Sequence, residues 1–342
     1  MKVGLFLAVV EERDEDWSVG PPLGLGYLSS YIKTYGQGFE TVIRRDLREL
    51  IAEKPDLVGI SCSTYSYNVA IRAAQQITEE LGVPCILGGT QITAMPERLH
   101  SIFPVAVLSE GEETFLELCQ LYQARHGFDP TDLAKVPGIL FHGEEGIVTT
   151  PPRGAIEDLD RIPPPDRQEF GDQWGPIKKH AHIMTSRGCP YKCTFCSTVR
   201  HWGQTHRFFS PAYVVNEIKG LVRDWGAEHI IIFDDLFIGK KVRLDEIRAE
   251  LHRQDLLDAV HFTVSARANQ IKESNIESLR DLRITNLTMG FESAAPRVLD
   301  FLGKNAVKPE TLQTCVDLCQ QVGISVAPSF IIGSPCETRE DL

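Results

Sequence analysis

Cys189-Pro190-Tyr191-Lys192-Cys193-Thr194-Phe195-Cys196 places three cysteines in one short loop, directly after an apolar stretch that ends in Thr185-Ser186-Arg187-Gly188. The next cysteine is Cys315. Closely spaced thiolates are soft metal ligands, and their number separates two chemistries. Three thiolates on a [4Fe–4S] cluster leave one iron with an open position for a substrate, whereas an ordinary electron-transfer cluster uses four. Three thiolates with His201 or His206 would instead close a tetrahedral Cys3His zinc site. Spacing alone leaves both readings open.

Around this loop the chain reads as a βα series. Ala181–Thr185, His229–Phe233, His261–Val264, Asn286–Met289 and Ser325–Ile332 are expected strands. Helices are expected near Leu244–His252, Ile276–Leu282 and Pro309–Val322. A further helix opens at Ser210-Pro211 in N-cap and N1 style, carries Val214, Ile218, Leu221, Val222 and Trp225 as its apolar stripe, and closes at Gly226. Polar residues gather where each strand ends: Asp234 and Asp235, then Ser265 and Arg267, then Glu292 and Ser293, then Gly333. Barrel-type α/β folds build their sites on that face, and a zinc knuckle needs no such ring.

The first 135 residues alternate in the same way. Strands are expected at Val3–Val10, Thr41–Ile43, Leu57–Ser61, Cys85–Leu87 and Val105–Leu108. Helices are expected near Leu23–Tyr35, Leu47–Ala52, Tyr67–Leu81, Met95–His100 and Glu113–Gln123. Short β-branched strands buried on both faces imply a parallel, doubly wound sheet with its ligand at the carboxyl ends of the strands. The residues there are Ser61, Ser63 and Thr64 after the third strand, Gly88, Gly89, Thr90 and Gln91 after the fourth, and Glu110, Gly111 and Glu112 after the fifth. Between the two series, residues 136–180 hold a hairpin signal around Gly143-Glu144-Glu145 and the Pro151-Pro152 and Pro163-Pro164-Pro165 runs, read as a domain linker.

Composition narrows the function. The net charge of −12 argues against a nucleic-acid partner, which would require a basic face. Val3–Val10 is apolar but is followed by the acidic run Glu11–Asp16, so it reads as a first strand and not as a signal peptide. No run approaches a membrane span. Nine cysteines without a signal peptide imply a reducing, cytoplasmic setting. Cys62, Cys85, Cys119, Cys315 and Cys319 lie in strand or helix patterns and read as small buried hydrophobes.

The cysteine loop, C-x3-C-x2-C with Phe195 before the last cysteine, resembles the signature of the radical S-adenosylmethionine (SAM) enzymes. That resemblance implies a [4Fe–4S] cluster on Cys189, Cys193 and Cys196 whose open iron chelates SAM. Asp234-Asp235 stands where many members carry Gly-Gly-Glu, near the SAM amino group. Arg267 matches a third-strand arginine that pairs with the SAM carboxylate. Gly290-Phe291-Glu292-Ser293 looks like the fourth-strand Gly-x-Glu-Ser motif, with Glu292 near the ribose or amino acid moiety. Phe330–Thr338 resembles a Gly-x-Pro-Gly-Glu-Thr segment near the adenine, beginning at Gly333. Phe195 and Ser265 complete the implied SAM site. Cys336 stands at the second glycine of the last motif, a departure that puts a Cβ where the backbone is expected to favour positive φ.

Pro21-Pro22-Leu23-Gly24-Leu25-Gly26-Tyr27-Leu28, Lys54–Ser61, the Gly88-Gly89 turn and the Glu110-Gly111-Glu112 turn look like the cobalamin-binding domain that precedes the radical SAM core in one subgroup. The Asp-x-His-x-x-Gly motif is absent, and His100 and His126 lie in the wrong context, so no histidine–cobalt bond is expected. Ser109 replaces the usual glycine before Glu110.

The expected architecture is therefore α/β. Residues 1–135 form a flavodoxin-like cobalamin-binding domain, 136–180 a linker, and 181–342 a partial (β/α)6 radical SAM barrel that stops after its fifth strand. Either the chain is a fragment or another chain covers the edge strand Ser325–Ile332. The implied activity is cleavage of SAM to a 5′-deoxyadenosyl radical and cobalamin-dependent C-methylation of a small-molecule substrate, with electrons from a flavodoxin- or ferredoxin-type donor. A cyclisation or rearrangement without methyl transfer, and a non-catalytic cobalamin or iron–sulfur sensor, are the alternatives.

Overall fold

The structure is a computed structural model and describes residues 1–10, 20–171, 173–174 and 181–341. The acidic run Glu11–Asp16 lies outside the described residues. The chain divides into two compact units at about residue 176.

The first unit is built on strands β1 (Lys2–Leu7), β2 (Glu40–Arg44), β3 (Leu57–Ser61), β4 (Cys85–Gly88), β5 (Val105–Val107), β6 (Ile139–Gly143) and β7 (Gly146–Thr149). They form one sheet in the order β2-β1-β3-β4-β5-β6-β7. The first five strands run parallel, and β6 and β7 join antiparallel. The 2-1-3-4-5 order is that of flavodoxin-like folds, which bind ligands at the carboxyl edge. Apolar β1 and β3 are buried on both faces because helices cover the sheet on each side. Helix Tyr67–Leu81 shows how the sequence sets this cover: Ala70, Ala73, Ala74 and Ile77 make its buried stripe, and Gly82 ends it in the left-handed conformation.

The stretch read as a linker is part of this unit. Hairpin β6–β7 extends the sheet, and the proline-rich passage after it packs on helix Leu23–Tyr35. Ser29 Oγ donates to Asp166 at 3.0 Å, Ser30 Oγ to the Pro164 carbonyl at 2.5 Å, and Lys33 pairs with Asp166 and Glu169 at 2.7 and 2.9 Å. Gly26 is required here, since a Cβ would lie 2.7 Å from the Phe170 ring. Proline runs read as spacers, but Ile156, Leu159, Ile162, Phe170 and Trp174 are buried and anchor this one. The helix expected near Met95–His100 forms earlier, at Thr90–Ala94, followed by a single 3-10 turn at Pro96–Arg98, because Pro96 cannot continue a helix.

The second unit contains β8 (Ala181–Ile183), β9 (Ser186–Arg187), β10 (Arg207–Phe208), β11 (His229–Ile232), β12 (His261–Ala266), β13 (Ile284–Glu292) and β14 (Ser325–Phe330). Strands β8, β11, β12, β13 and β14 form an all-parallel sheet in chain order. The short antiparallel pair β9–β10, not foreseen from the sequence, brackets the cysteine loop. Helix Pro211–Trp225 starts as its sequence dictates: Ser210 Oγ accepts from the Tyr213 N–H at 3.1 Å, and Gly226 takes φ 66°. No helix among the described residues is long and apolar enough to cross a membrane.

Candidate functional site

The cysteine loop springs from the carboxyl end of β8 and is held from below by a carboxylate. Asp234, 3% exposed, accepts from the Thr185 and Ser186 backbone N–H groups at 2.6 and 3.0 Å and from their hydroxyls at 2.5 and 2.6 Å. Burial pushes the Asp234 carboxyl up, while the Arg243 guanidinium, the Ser186 and Thr185 hydroxyls and the Thr185 N–H act the other way. Arg243 donates to the Thr185 carbonyl at 2.8 Å and lies over the Phe208 ring. Asp234 is thus a brace for the loop and is not available to a ligand, contrary to the expectation that both aspartates meet SAM. Asp235 is the exposed one, accepting from Thr198 Oγ1 at 2.9 Å.

A second support was invisible in the sequence. The Thr194 N–H and Oγ1 donate to the carbonyls of Leu302 and Phe301, both at 3.1 Å, and Gly303 passes so close that a Cβ would lie 2.9 Å from the Lys192 carbonyl. Gly303 takes φ 72°, which a residue without a Cβ adopts freely. The next residue, Lys304, is 5% exposed and pairs with Glu292 at 2.9 Å, donating also to the Gly290 carbonyl at 2.6 Å. Its ammonium stands 5.9 Å from the ring centre of Phe195, itself 45% exposed. Glu292 holds φ 64°, a left-handed conformation that costs a side-chain-bearing residue energy and is common at sites. A Cβ on Gly290 would overlap the Glu292 carboxylate at 1.9 Å, so a larger residue there would displace the Lys304–Glu292 pair.

The remaining expected SAM residues reach the same edge. Ser265 Oγ shares a hydrogen bond with Thr288 Oγ1 at 3.2 Å, and its carbonyl accepts from the Phe237 N–H. Arg267 points an N–H at the Cys193 sulfur, 3.6 Å away. Gly333 takes φ 90°, whereas Cys336 is not among the described residues with positive φ, so its Cβ brings no left-handed strain. That corrects the expectation for Cys336.

The nine cysteines separate by accessibility. Cys62, Cys85, Cys119, Cys315 and Cys319 are buried, and burial alone pushes the Cys62 and Cys85 thiols up to about 12. Cys189, Cys193 and Cys336 are partly exposed and Cys196 is exposed, and of these four only Cys336 lies outside the loop. Burial, with the Asp235 carboxylate adding to it, also raises Cys189. A cubane cluster takes each thiolate on a different iron, so its ligands need not converge on one point. Among the described residues no three His, Cys, Asp or Glu side chains converge to hold a single ion. His206 lies 3.3 Å from Ser186 Oγ and packs on Phe208, while His201 stands edge-on to Trp202. The accessible thiols fit a cluster.

In the first unit, the expected cobalamin residues divide. Ser63, Thr64 and Thr90 are exposed at the carboxyl edge, and Ser61, Gly88, Gly89, Glu110 and Gly111 are partly exposed. Gln91 and Glu112 are buried instead, and Glu110 accepts the Ile156 N–H at 3.0 Å. The two glycines differ. A Cβ on Gly89 (φ 96°) would lie 2.5 Å from the Cys62 carbonyl, whereas one on Gly88 would meet nothing within 4 Å. Gly89 serves the chain's own packing, and Gly88 borders the open cradle that a corrinoid would need. His126 caps the helix Glu112–Arg125 at its far end and His100 precedes β5, so neither reaches the carboxyl edge. A cavity of about 780 Å³ over the ends of β1 and β2, lined by Phe6, Val9, Arg45 and Arg72, was not anticipated.

Comparison with known proteins agrees with both halves. Residues 183–342 match the radical SAM superfamily model, and residues 17–119 match the B12 binding domain model. An uncharacterised methyltransferase of Pyrococcus horikoshii is 31% identical over 95% of this chain and 72% of its own. The anaerobic magnesium-protoporphyrin IX monomethyl ester cyclase of Rubrivivax gelatinosus is 29% identical over 94% of this chain and 60% of its own. The solved structure of the radical SAM methyltransferase TsrM from Kitasatospora setae, with cobalamin and a [4Fe–4S] cluster, superposes with a TM-score of 0.81 at 20% identity, covering 99% of this chain and 68% of that one. With the accessible three-thiol loop and the open glycine edge in place, the chain belongs to the cobalamin-binding radical SAM enzymes, whose cofactors are a [4Fe–4S] cluster, SAM and cobalamin.

Proposed function

We propose that this enzyme methylates an unactivated carbon of a small-molecule substrate. The observation that carries the proposal is the pairing, in one chain, of an accessible three-thiol loop with a sheet edge that is open at Gly88. When bound, the cluster and SAM supply the hydrogen-abstracting radical and cobalamin supplies the methyl group. The chain's own work is positional. Cys189, Cys193 and Cys196 hold the cluster, and the Asp235 carboxylate suits the SAM ammonium. Ser265, Glu292 and the Gly333 backbone line the rest of the SAM site, and Phe195 covers the loop. Ser61, Ser63, Thr64, Gly88 and Thr90 offer hydroxyls and backbone to the amide-rich rim of the corrinoid. The acidic surface favours a small-molecule substrate over nucleic acid, and a cytoplasmic flavodoxin- or ferredoxin-type protein is the proposed electron donor.

A second reading, radical cyclisation without methyl transfer, draws on the cyclase relative, whose identity is nearly that of the methyltransferase. Anaerobic reconstitution with iron, sulfide and hydroxocobalamin, followed by reduction with SAM carrying a deuterated methyl group, separates the two. Label appearing in product supports methylation. Formation of 5′-deoxyadenosine with unlabelled product supports cyclisation, and absence of both overturns the proposal.

A further inference from the structure

Arg267 is a buried cation, 6% exposed, and among the described residues no carboxylate lies within ion-pair distance of it. Its Nε has no hydrogen-bond partner. Lys304, another buried cation at the loop, has both Glu292 and the Gly290 carbonyl, and the buried Arg243 donates to the Thr185 carbonyl. Leaving a buried charge without a counter-charge is strongly destabilising, and among the described residues no carboxylate offers one to Arg267. Two contacts show what the guanidinium faces. One guanidinium N–H points at the Cys193 sulfur at 3.6 Å, and the guanidinium plane lies over the Tyr191 ring at 4.0 Å. Tyr191 is two residues before Cys193, so the same loop provides both the stacking surface and the acceptor. The planar guanidinium is fixed by the ring in a way that a flexible ammonium would not be.

We propose that Arg267 is a positioning residue for the cluster that raises its reduction potential by donating an N–H to the Cys193 thiolate, and that it does not serve as the partner of the SAM carboxylate. The proposal rests on the reading that Cys189, Cys193 and Cys196 ligate the cluster. Hydrogen bonds to ligating sulfurs help to set cluster potentials. The added electron makes the cluster more negative, so a nearby cation and an N–H···S bond stabilise the reduced state more than the oxidised one.

The test is a redox titration of the anaerobically reconstituted full chain, followed by electron paramagnetic resonance, with SAM affinity measured separately by calorimetry. Arg267→Gln should retain wild-type iron and sulfide and bind SAM with unchanged affinity, while its midpoint moves to more negative potential. An unchanged midpoint with weakened SAM binding would return Arg267 to the SAM carboxylate and overturn the proposal. If Arg267→Gln assembles no cluster, Arg267→Lys carries the test, because it keeps the charge but loses the planar stack on Tyr191. Its midpoint should then also fall below wild type, and equality with wild type overturns the proposal. Should the wild-type chain itself take up zinc in place of iron and sulfide, the cysteine reading fails first, and that result is visible before any variant is compared.

Discussion

Both candidate sites lie at the carboxyl edge of a parallel sheet, yet the two edges are built from different chemistry. In the second unit Asp234, Arg243, Arg267, Glu292 and Lys304 are each at most 7% exposed and crowd beneath or beside the cysteine loop. In the first unit the exposed positions of the edge include the hydroxyls of Ser63, Thr64, Thr90 and Ser109 and the Tyr65 ring, next to the open face of Gly88. The difference follows from the ligands. A charged cluster and zwitterionic SAM need charges held in fixed places, and a low-dielectric setting strengthens such interactions. A corrinoid rimmed by amides needs room, shape and hydrogen-bonding backbone, which glycine and small polar side chains provide.

The sharpest way to break this contrast is to remove the brace. Asp234→Ala would leave four donors without an acceptor and strand Arg243 in the interior, at a cost of about 3–5 kcal/mol. Denaturant unfolding should show the loss, and iron incorporation should fall with it. Wild-type stability and iron content would mean that the buried charges do not hold the loop.

Next in size is the Lys304–Glu292 pair. Lys304→Met and Glu292→Gln each leave one partner of the 2.9 Å bridge inside the protein. The double variant should be more stable than the sum of the single losses predicts, by a coupling of about 0.5–3 kcal/mol. Strict additivity in the unfolding free energies would show that the pair does not act as a unit.

The first unit is tested by its adjacent glycines. Gly89→Ala must bear a side chain at φ 96° against the Cys62 backbone, and should lose about 1–3 kcal/mol of stability. Gly88→Leu should fold normally but retain little hydroxocobalamin after desalting. Full retention by Gly88→Leu would move the corrinoid away from this edge.

The smallest expected effect is a pH dependence of the second unit. Burial, then the nearby Arg243, lowers His206 from 6.5 to about 4. Below pH 6.5 the unfolded chain takes up a proton that the folded ring resists, so stability is lost as pH falls from 6.5 toward 4. The drop in Tm between pH 7 and pH 5 should be smaller in His206→Gln, and an equal drop would place the acid sensitivity elsewhere.

Much of the fold was legible because its signals are local. The helices Leu23–Tyr35, Leu47–Ala52 and Tyr67–Leu81 have the bounds expected from the alternating βα pattern. The three-thiol loop, the alternation of strand and helix in both halves, and the polar strand ends were equally readable, since each depends on residues within a few positions of one another. The sequence could not tell Asp234 from Asp235. Neighbouring residues leaving a strand face opposite ways, and only the crossing of β8 beside β11 decides which one meets Thr185 and Ser186. For the same reason the pairing of Lys304 with Glu292, the approach of Arg267 to Cys193, and the docking of the proline-rich passage on its helix belong to the tertiary structure. A buried charge is defined by what the fold brings next to it, and residues far apart in the chain carry no local mark of the partner they will meet.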